Sequence, residues 1–411
     1  MSRNGGRFSW IARGGRVVLL ARALRSFAQG MLSVLLALFL IDRGVTLSGV
    51  GLFLSAGVIG GAVYALALYG MAARIGRRRS LIVLTGLSSG ASIALLASGD
   101  LAWLMLCAFV GSLAGVGGAG GAGPAQPLEQ VILADSVAPE HRGDVFALYR
   151  FGSSIAMACG GLAAGLPSWL ETAGRMPIRI GMAWMIALFS FCLLCVALLY
   201  LLLPDEPDST AGDGWANPFK TPSRRLIVGL NALFSVDQLG SSLTTASLMA
   251  YWFHTRFGLE LDALAALSFT TQLLSALSMW LSIRLARRVG YVRTMVFTHI
   301  PASLMLVGLA FAPNAACGIA VWLARGLLSQ MDIPARDALI MSVVAPEERI
   351  AMGSLHLLGR NGMGTLGPTL STTLWQTLSP AAPILLGGLL KVGYDLSLFA
   401  LYRDLESGST S

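Results

Sequence analysis

The residues of this chain that could do chemistry are charged side chains set within long apolar segments. Segment 316–344 is apolar enough to cross a bilayer, yet it contains Arg325, Asp332 and Arg336. At about 1.5 Å per residue, Arg325 would lie roughly 14 Å from the start of this helix, near the middle of a hydrocarbon core about 30 Å thick. With Ser329, these residues follow the spacing i, i+4, i+7, i+11 of one helical face. Because a charge that faces lipid costs several kcal/mol, this face is predicted to line protein or a water-filled cavity.

Other apolar segments carry ionic residues at similar depth. Asp237 would lie about 16 Å and Arg25 about 12 Å into their helices. Asp237 or Glu129 is predicted to take up and release a proton, because burial disfavours the charged form of a carboxyl group. Arg25 and Arg325 would then attract an anionic group or tune the acid. The alternative is that Arg25–Asp237 and Arg325–Asp332 are permanent ion pairs that hold helices together.

Five further ionisable residues within these segments have structural interpretations. Lys391 and Asp395 are spaced i, i+4 and are predicted to form an ion pair within one helix. Arg150 lies close to a helix end and is predicted to extend its guanidinium group to the interface. His299 and His356, also placed near helix ends, are predicted to be structural rather than part of a proton relay.

The composition is that of a membrane protein with many spans. Of 411 residues, 55% are hydrophobic and 12% are charged, whereas soluble proteins average about 25% charged residues. The formal net charge of +8 reflects topology, because 18 of the 29 Lys and Arg residues fall on one predicted side of the membrane, four on the other and seven within spans. This asymmetry follows the positive-inside rule and argues against a nucleic-acid partner. Both termini are therefore predicted to be cytoplasmic, in a bacterial inner membrane.

The apolar segments predict an all-α membrane protein with twelve transmembrane helices. The predicted spans are 17–41, 50–69, 81–98, 101–136, 145–166, 180–203, 226–253, 263–285, 294–311, 316–344, 351–374 and 383–402. A polar segment, 204–225, divides them into two six-helix bundles, 1–203 and 226–411. No cleaved signal peptide is predicted, since the polar start of the chain lacks a short apolar region with a cleavage site.

The two halves repeat each other in sequence. Pro127 and the loop 138–142 recur as Pro334 and the loop 345–349, at a constant offset of 207 residues. This repeat predicts two bundles related by a pseudo-twofold axis. The first half holds seven extra residues within its fourth span, where the run 115–124 is rich in glycine. Glycine and proline there predict a flexible or broken helix, or a very close helix contact.

The loop after the second span, 74–79, reads Arg-Ile-Gly-Arg-Arg-Arg. With two six-helix halves and a central linker, it resembles the major facilitator superfamily, whose pattern at this loop is G-x-x-x-D-[RK]-x-G-R-[RK]-[RK]. Ala73 occupies the acidic position, which in that family helps to latch the cytoplasmic gate, and the copy after the eighth span matches less well. The resemblance covers essentially the whole chain. The predicted gate residues are Arg74, Gly76, Arg77, Arg78, Arg142, Arg288, Gly290 and Arg349.

This resemblance implies secondary transport by alternating access, with the first, fourth, seventh and tenth helices lining a central cavity. Seven cations against five well-embedded acids within the spans favour cargo with negative charge. The chain is thus predicted to be a monomeric transporter for a small organic molecule, with anionic cargo favoured, that works by proton-coupled efflux. The predicted substrate and proton site comprises Arg25, Glu129, Asp237, Gln238, Arg325, Asp332 and Arg360.

Several alternatives remain open at this stage. The chain could instead take up an organic anion together with protons. Cys192 and Cys195, spaced i, i+3, would suit efflux of a soft metalloid, although no third soft ligand is near in sequence. A membrane enzyme or a sensor is the remote alternative, since the G-x-S-x-G match around Ser88 lies in the middle of a span. No cofactor, bound metal or ATP coupling is predicted.

Overall fold

The computed structural model describes residues 10–113, 125–204, 221–345 and 348–403, which form sixteen α-helices and one 3₁₀ turn at Pro139–His141. The first half contains α1 Arg13–Asp42, α2 Leu47–Ile75, α3 Arg77–Ala94, α4 Leu101–Gly111, α5 Gln126–Asp135, α6 Arg142–Ala163, α7 Leu166–Thr172 and α8 Ile178–Tyr200. The second half contains α9 Arg224–Ser242, α10 Ala246–Phe257, α11 Leu261–Val289, α12 Tyr291–Leu309, α13 Ala315–Leu328, α14 Asp332–Ser342, α15 Arg349–Thr377 and α16 Ala382–Tyr402.

These helices build twelve spans, so the predicted all-α architecture is confirmed. Within the described ranges, eight helical segments are long and apolar enough to cross a membrane, and α4 is a shorter apolar helix. The seventh and tenth spans each consist of two helices, α9 with α10 and α13 with α14, and α4 and α5 are the described parts of the fourth span. The bundle boundaries 1–203 and 226–411 stay predictions, and residues 205–220 of the linker lie outside the described residues.

The breaks in these spans have local causes. The seventh span is interrupted after α9, and Thr245 begins α10 by accepting a hydrogen bond from the backbone N–H of Leu248 at 3.5 Å. In the fourth span, α4 ends at Gly111, and Ser112 adopts a left-handed conformation with φ of 51°. The glycine-rich run 115–124, where a broken helix was predicted, lies outside the described residues.

Glycines set how closely α1 and α6 pack within the first half. A Cβ atom at Gly30 would collide with the carbonyl oxygen of Met157, and one at Gly160 would collide with that of Phe27. These carbonyls belong to the facing helix in each case, so neither neighbour can move aside as a flexible side chain would. Small residues at such positions let two helix backbones approach closely in a membrane.

One buried apolar core joins the two halves, and it lies at a single end of the molecule. We call the end at which α1 begins and α16 finishes the terminal end, and the other the opposite end. At the opposite end one buried cluster joins both halves and includes Leu35, Phe53, Trp252 and Leu309. At the terminal end each half has its own core: one includes Val18, Leu84 and Tyr200, and the other Phe234, Leu339 and Leu398. The molecule is therefore closed at the opposite end.

Candidate functional site

A buried ionic cluster lies in the first half, centred on Glu129. This carboxylate is fully buried in the first turn of α5 and lies 2.5 Å from Arg25 Nη2 on α1. The hydroxyl of Tyr149 on α6 donates to Glu129 Oε2 at 2.6 Å, and the hydroxyl of Tyr200 on α8 donates to Oε1 at 2.5 Å. Arg22, one turn before Arg25, places its guanidinium group 5.2 Å from the centre of the Tyr149 ring. Glu129 thus holds four helices together through charge-assisted hydrogen bonds.

A second ionic cluster lies in the other half, centred on Asp237 of α9. Lys391 Nζ on α16 donates to Asp237 Oδ1 at 2.7 Å, and Arg336 Nη2 on α14 donates to Oδ2 at 2.8 Å. Arg336 also forms an ion pair with Asp332, one turn earlier on α14. All four side chains are buried, with about 5% or less of their surface exposed. Two cations on Asp237 stabilise its ionised form.

A histidine joins this second cluster to another carboxylate. His299 Nδ1 on α12 lies 3.0 Å and 2.9 Å from the two carboxylate oxygens of Asp395 on α16. Its other nitrogen, Nε2, lies 3.7 Å from Asp237 Oδ1. Lys391 turns away from Asp395 and donates to Ser241 Oγ at 2.7 Å in addition to Asp237. The predicted ion pair within α16, between Lys391 and Asp395, is therefore wrong, because both side chains find partners on the helices that α16 packs against.

The two clusters are built alike but with the charges exchanged. The repeat offset of 207 residues places Glu129 of α5 at the position of Arg336 of α14. In the first half the cation is on the first span and the acid on the fourth, whereas in the second half the acid, Asp237, is on the seventh span and the cation on the tenth. In each half the last span supplies a further hydrogen-bond donor: Tyr200 on α8 in the first half and Lys391 on α16 in the second.

Two permanent ion pairs were considered from the sequence, and the structure forms neither of them. Arg25–Asp237 is wrong, because Arg25 pairs with Glu129 in its own half. Arg325–Asp332 is also wrong, because Asp332 pairs with Arg336. Arg336, which lies on the same predicted helical face, is buried within the second cluster, with 4% of its surface exposed.

Arg325 has no acidic group within 4.0 Å in the described part of the chain. It is half-buried on α13, and its guanidinium carbon lies 4.9 Å from the centre of the Trp322 ring. Its Nε atom is buried and has no hydrogen-bond partner there. Arg360, on α15, is likewise half-buried and forms no ion pair with any described residue. Gln238, next to Asp237, is buried with 5% of its surface exposed.

The predicted gate residues lie at the terminal end. Gly76, between α2 and α3, and Gly290, between α11 and α12, have φ of 85° and 92°, a backbone conformation that favours glycine and reverses the chain sharply. Arg77 Nη1 contacts Asp135 Oδ2 at the end of α5, at 3.0 Å. The other predicted gate residues lie at or beside helix ends: Arg74 and Arg288 close to the ends of α2 and α11, Arg78 in the first turn of α3, and Arg142 and Arg349 at the first residues of α6 and α15.

Among the described residues, an ion pair between Arg150 and Asp337 joins the two halves at this end. Arg150 Nη2 on α6 lies 3.4 Å from Asp337 Oδ2 on α14, and both side chains are about half exposed. At the opposite end the halves meet through buried polar contacts, in which Ser247 Oγ donates to the carbonyl oxygen of Ser33 at 2.8 Å. The polar contact between halves is therefore more exposed at the terminal end.

Sequence reasoning missed several members of these clusters. His299, Lys391, Tyr149 and Tyr200 contact the ionic residues directly, but His299 was interpreted as structural and the two tyrosines were not considered. Depth was the signal that could have found His299 and Lys391, because an ionisable residue well inside an apolar span needs a partner. Cys192 and Cys195 lie on α8, and the described residues include no group of three or more His, Cys, Asp or Glu that could hold a metal ion.

Comparison with known proteins places this chain in context. The family model of the Major Facilitator Superfamily matches residues 18–368. An uncharacterized membrane protein of Saccharomyces cerevisiae is 22% identical over 417 residues, which cover 93% of each chain. A D-xylose–proton symporter has a similar structure with a TM-score of 0.71 at 14% identity, over 94% of this chain and 96% of its own. The nucleoside transporter NupG gives a TM-score of 0.70 at 14% identity, over 96% and 99%.

Proposed function

The chain belongs to the major facilitator superfamily, and from that premise we propose that it is a secondary active transporter that exports a small organic anion by proton-coupled alternating access. Family membership supports a transporter rather than an enzyme. The charge of the cargo, the direction and the coupling to protons are our own inferences. The charge of the cargo is inferred from Arg325, the coupling to protons from the ionic residues buried within the spans, and the direction from the end at which the halves share no apolar core.

The observation that carries the proposal is the unpaired guanidinium group of Arg325. Arg325 stacks on Trp322 and has no carboxylate within 4.0 Å among the described residues, whereas Asp237 and Asp332 are each bound directly by a cation. A charge without a direct partner at this depth is unfavourable unless a counter-charge or water compensates it. A carboxylate or phosphate group of the cargo would supply that counter-charge, and Arg is well suited to bind either group through two parallel hydrogen bonds.

A second cation, Arg360, supports the same choice of cargo. It lies about 16 Å from the start of α15 at the helical rise, similar in depth to Arg325 within its own span. His356, one turn before Arg360, has two buried ring nitrogens without a hydrogen-bond partner among the described residues. Polar groups of this kind along one face of α15 would add donors to an anion site.

The arrangement of the apolar cores supports alternating access. The halves share one core at the opposite end and have separate cores at the terminal end. A cavity between them would therefore be reached from the terminal end in this conformation. If the termini are cytoplasmic, as proposed from the basic residues, this is the conformation that loads cargo for export.

The test is transport by the purified chain in proteoliposomes with an imposed pH gradient. The panel pairs organic carboxylates with their uncharged amides, so that charge is the main difference within each pair. We expect flux of at least one anion, driven against the proton gradient, and little flux of its amide. Flux in the same direction as the protons would instead support uptake by symport, and no flux for any compound would support a sensor.

Arg325→Gln is the variant that tests the site. Loss of a hydrogen-bonded charge partner is worth about 1.5–3 kcal/mol, so the apparent affinity should fall by roughly tenfold to a hundredfold. Arg179→Gln is the matched control, because Arg179 is an arginine whose side chain is 74% exposed at the opposite end. Equal affinity for the anion in Arg325→Gln and the control would contradict the proposed site.

A further inference from the structure

The buried cluster around Asp237 has an imbalance of charge. Among the residues joined by ion pairs within it, three are acids, Asp237, Asp332 and Asp395, while two, Arg336 and Lys391, are always cationic. The remaining member is His299, which is cationic only when it holds a second proton. With His299 neutral and Asp395 ionised the cluster has a net charge of −1, and with one proton more it is neutral. A buried cluster favours the neutral state, since an uncompensated charge is costly away from water.

The geometry indicates where that proton resides. His299 Nδ1 is within 3.0 Å of both oxygens of Asp395, and Asp395 is fully buried. The pair has no other hydrogen-bonding acid or base within reach in the described structure except Asp237, 3.7 Å from His299 Nε2. Asp237 already accepts hydrogen bonds from two cations, Lys391 and Arg336.

The groups that face the pair come from several helices. Asp237 faces it from α9, Lys391 and Tyr394 belong to α16, and the ring centre of Tyr394 is 6.0 Å from that of His299. Arg336 and Asp332 of α14 act on the pair through Asp237. Beyond these, the neighbouring helices carry Arg325 on α13, His356 and Arg360 on α15, and Asp262 and Arg284 on α11, none of which forms an ion pair or hydrogen bond with His299 or Asp395.

We propose that His299 and Asp395 together form a proton-binding site that holds one exchangeable proton. The proton comes from water at the terminal end and returns to water. It is shared between Nδ1 and the carboxylate, so no other bond is made or broken. The role of this site in transport rests on the proposed proton coupling, whereas its existence does not.

Loss of this proton would change how α16 holds α9. Lys391 lies one turn from Asp395 on the same helix, close enough for an i, i+4 ion pair. When Asp395 carries a full negative charge, it competes with Asp237 for the ammonium group of Lys391. Movement of Lys391 to Asp395 would break its bonds to Asp237 and Ser241, both on α9. Because α9 also holds α14 through Asp237 and Arg336, proton occupancy would be transmitted to two helices of the seventh and tenth spans.

The experiment is a titration of the full chain in lipid nanodiscs by nuclear magnetic resonance, with ¹⁵N-labelled histidine and ¹³C-labelled aspartate. The chain has four histidines, so single variants assign every imidazole. The probe is the proton alone, from about pH 5 to about pH 9, the range in which histidine titrates. We expect the His299 ring and Asp395 carboxylate signals to move together with one midpoint, because coupled groups titrate as a pair. Asp395→Asn should change the His299 midpoint, because the substitution removes the carboxylate that Nδ1 contacts.

The controls separate this site from other histidines and from transport. His141→Gln removes an exposed histidine that lies 3.6 Å from Asp144, and it should leave the His299 midpoint unchanged. If neither signal moves in this range, or if His299 titrates identically in Asp395→Asn, the site is refuted. The wild-type titration decides the question even if a variant fails to fold. Since no cargo or gradient is used, absence of transport leaves the result intact, and coupled transport without titration of this pair refutes only the site.

Discussion

Removal of one partner from the Arg25–Glu129 ion pair tests how much of the fold depends on these buried clusters. In Glu129→Gln, the guanidinium group of Arg25 stays buried at 5% exposure without the charge 2.5 Å away. The amide can still accept a hydrogen bond from Tyr149 or Tyr200, but it carries no charge. Breaking a buried ion pair in this way typically destabilises a protein by about 3–5 kcal/mol. We therefore expect Glu129→Gln to lower the free energy of unfolding by about 3–5 kcal/mol.

The double variant Arg25→Gln with Glu129→Gln distinguishes a lost attraction from a stranded charge. Replacing both partners removes the uncompensated charge, and buried pairs replaced as a whole are often close to neutral in stability. Most of the loss seen in Glu129→Gln should therefore be recovered, which gives a coupling energy of about 2 kcal/mol or more between the two sites. The measurement is the free energy of unfolding in mixed micelles, by titration with a denaturing detergent.

The control is a solvent-exposed ion pair of similar length. Asp42 Oδ1 lies 3.0 Å from Arg179 Nε, and these side chains are 26% and 74% exposed. Exposed ion pairs contribute about 0–1 kcal/mol, so Asp42→Asn should lower the free energy of unfolding by no more than about 1 kcal/mol. The reasoning is refuted if Glu129→Gln is no more destabilising than Asp42→Asn. It is also refuted if the loss of unfolding free energy in the double variant equals the sum of the losses in Arg25→Gln and Glu129→Gln.

Three further predictions concern packing, pH and opening. Gly160→Ala should destabilise the chain by about 1–3 kcal/mol, because its Cβ collides with a carbonyl of α1, whereas Gly152→Ala on the same helix meets open space and should be neutral or stabilising in detergent unfolding. The hydrogen bond from the backbone of Ser223 lowers the pKa of Glu348 below its ordinary value of 4.5. The stability that this hydrogen bond adds is therefore complete above pH 4.5 and is lost as the pH falls through the lowered pKa of Glu348. The difference in thermal midpoint between the wild type and Glu348→Gln should shrink over that acidic range. Asp337→Asn should widen the distance between spin labels on α6 and α14, with less than about 1 kcal/mol change in stability.

Each of these has an outcome that contradicts it. Equal stability of Gly160→Ala and Gly152→Ala would mean that α1 and α6 do not approach as closely as described. If the difference in thermal midpoint between the wild type and Glu348→Gln stays constant with pH, the hydrogen bond from the backbone of Ser223 does not stabilise the ionised Glu348. Unchanged label distances in Asp337→Asn would show that this ion pair does not restrain the terminal end.

The protein class and the number of transmembrane spans could be predicted from the sequence alone. These depend on local properties, because apolar length fixes whether a helix can cross a bilayer and the helical rise fixes how deep Arg325 or Asp237 lies. The repeat at an offset of 207 residues, which gives Glu129 and Arg336 equivalent positions, is likewise a property of the sequence. Such features need no knowledge of which helix stands beside which.

Partner choice was decided only by the tertiary structure. Lys391 can reach Asp395 on its own helix, and the helical spacing favoured that pair, yet it binds Asp237 because α16 packs against α9 with this face turned inward. In the same way His299, rather than Lys391, meets Asp395 across the contact of α12 with α16. Electrostatic energy falls steeply with separation and rises in a low-dielectric interior. Small differences in helix rotation, which hydrophobicity does not encode, therefore decide which charges pair and where a proton can be held.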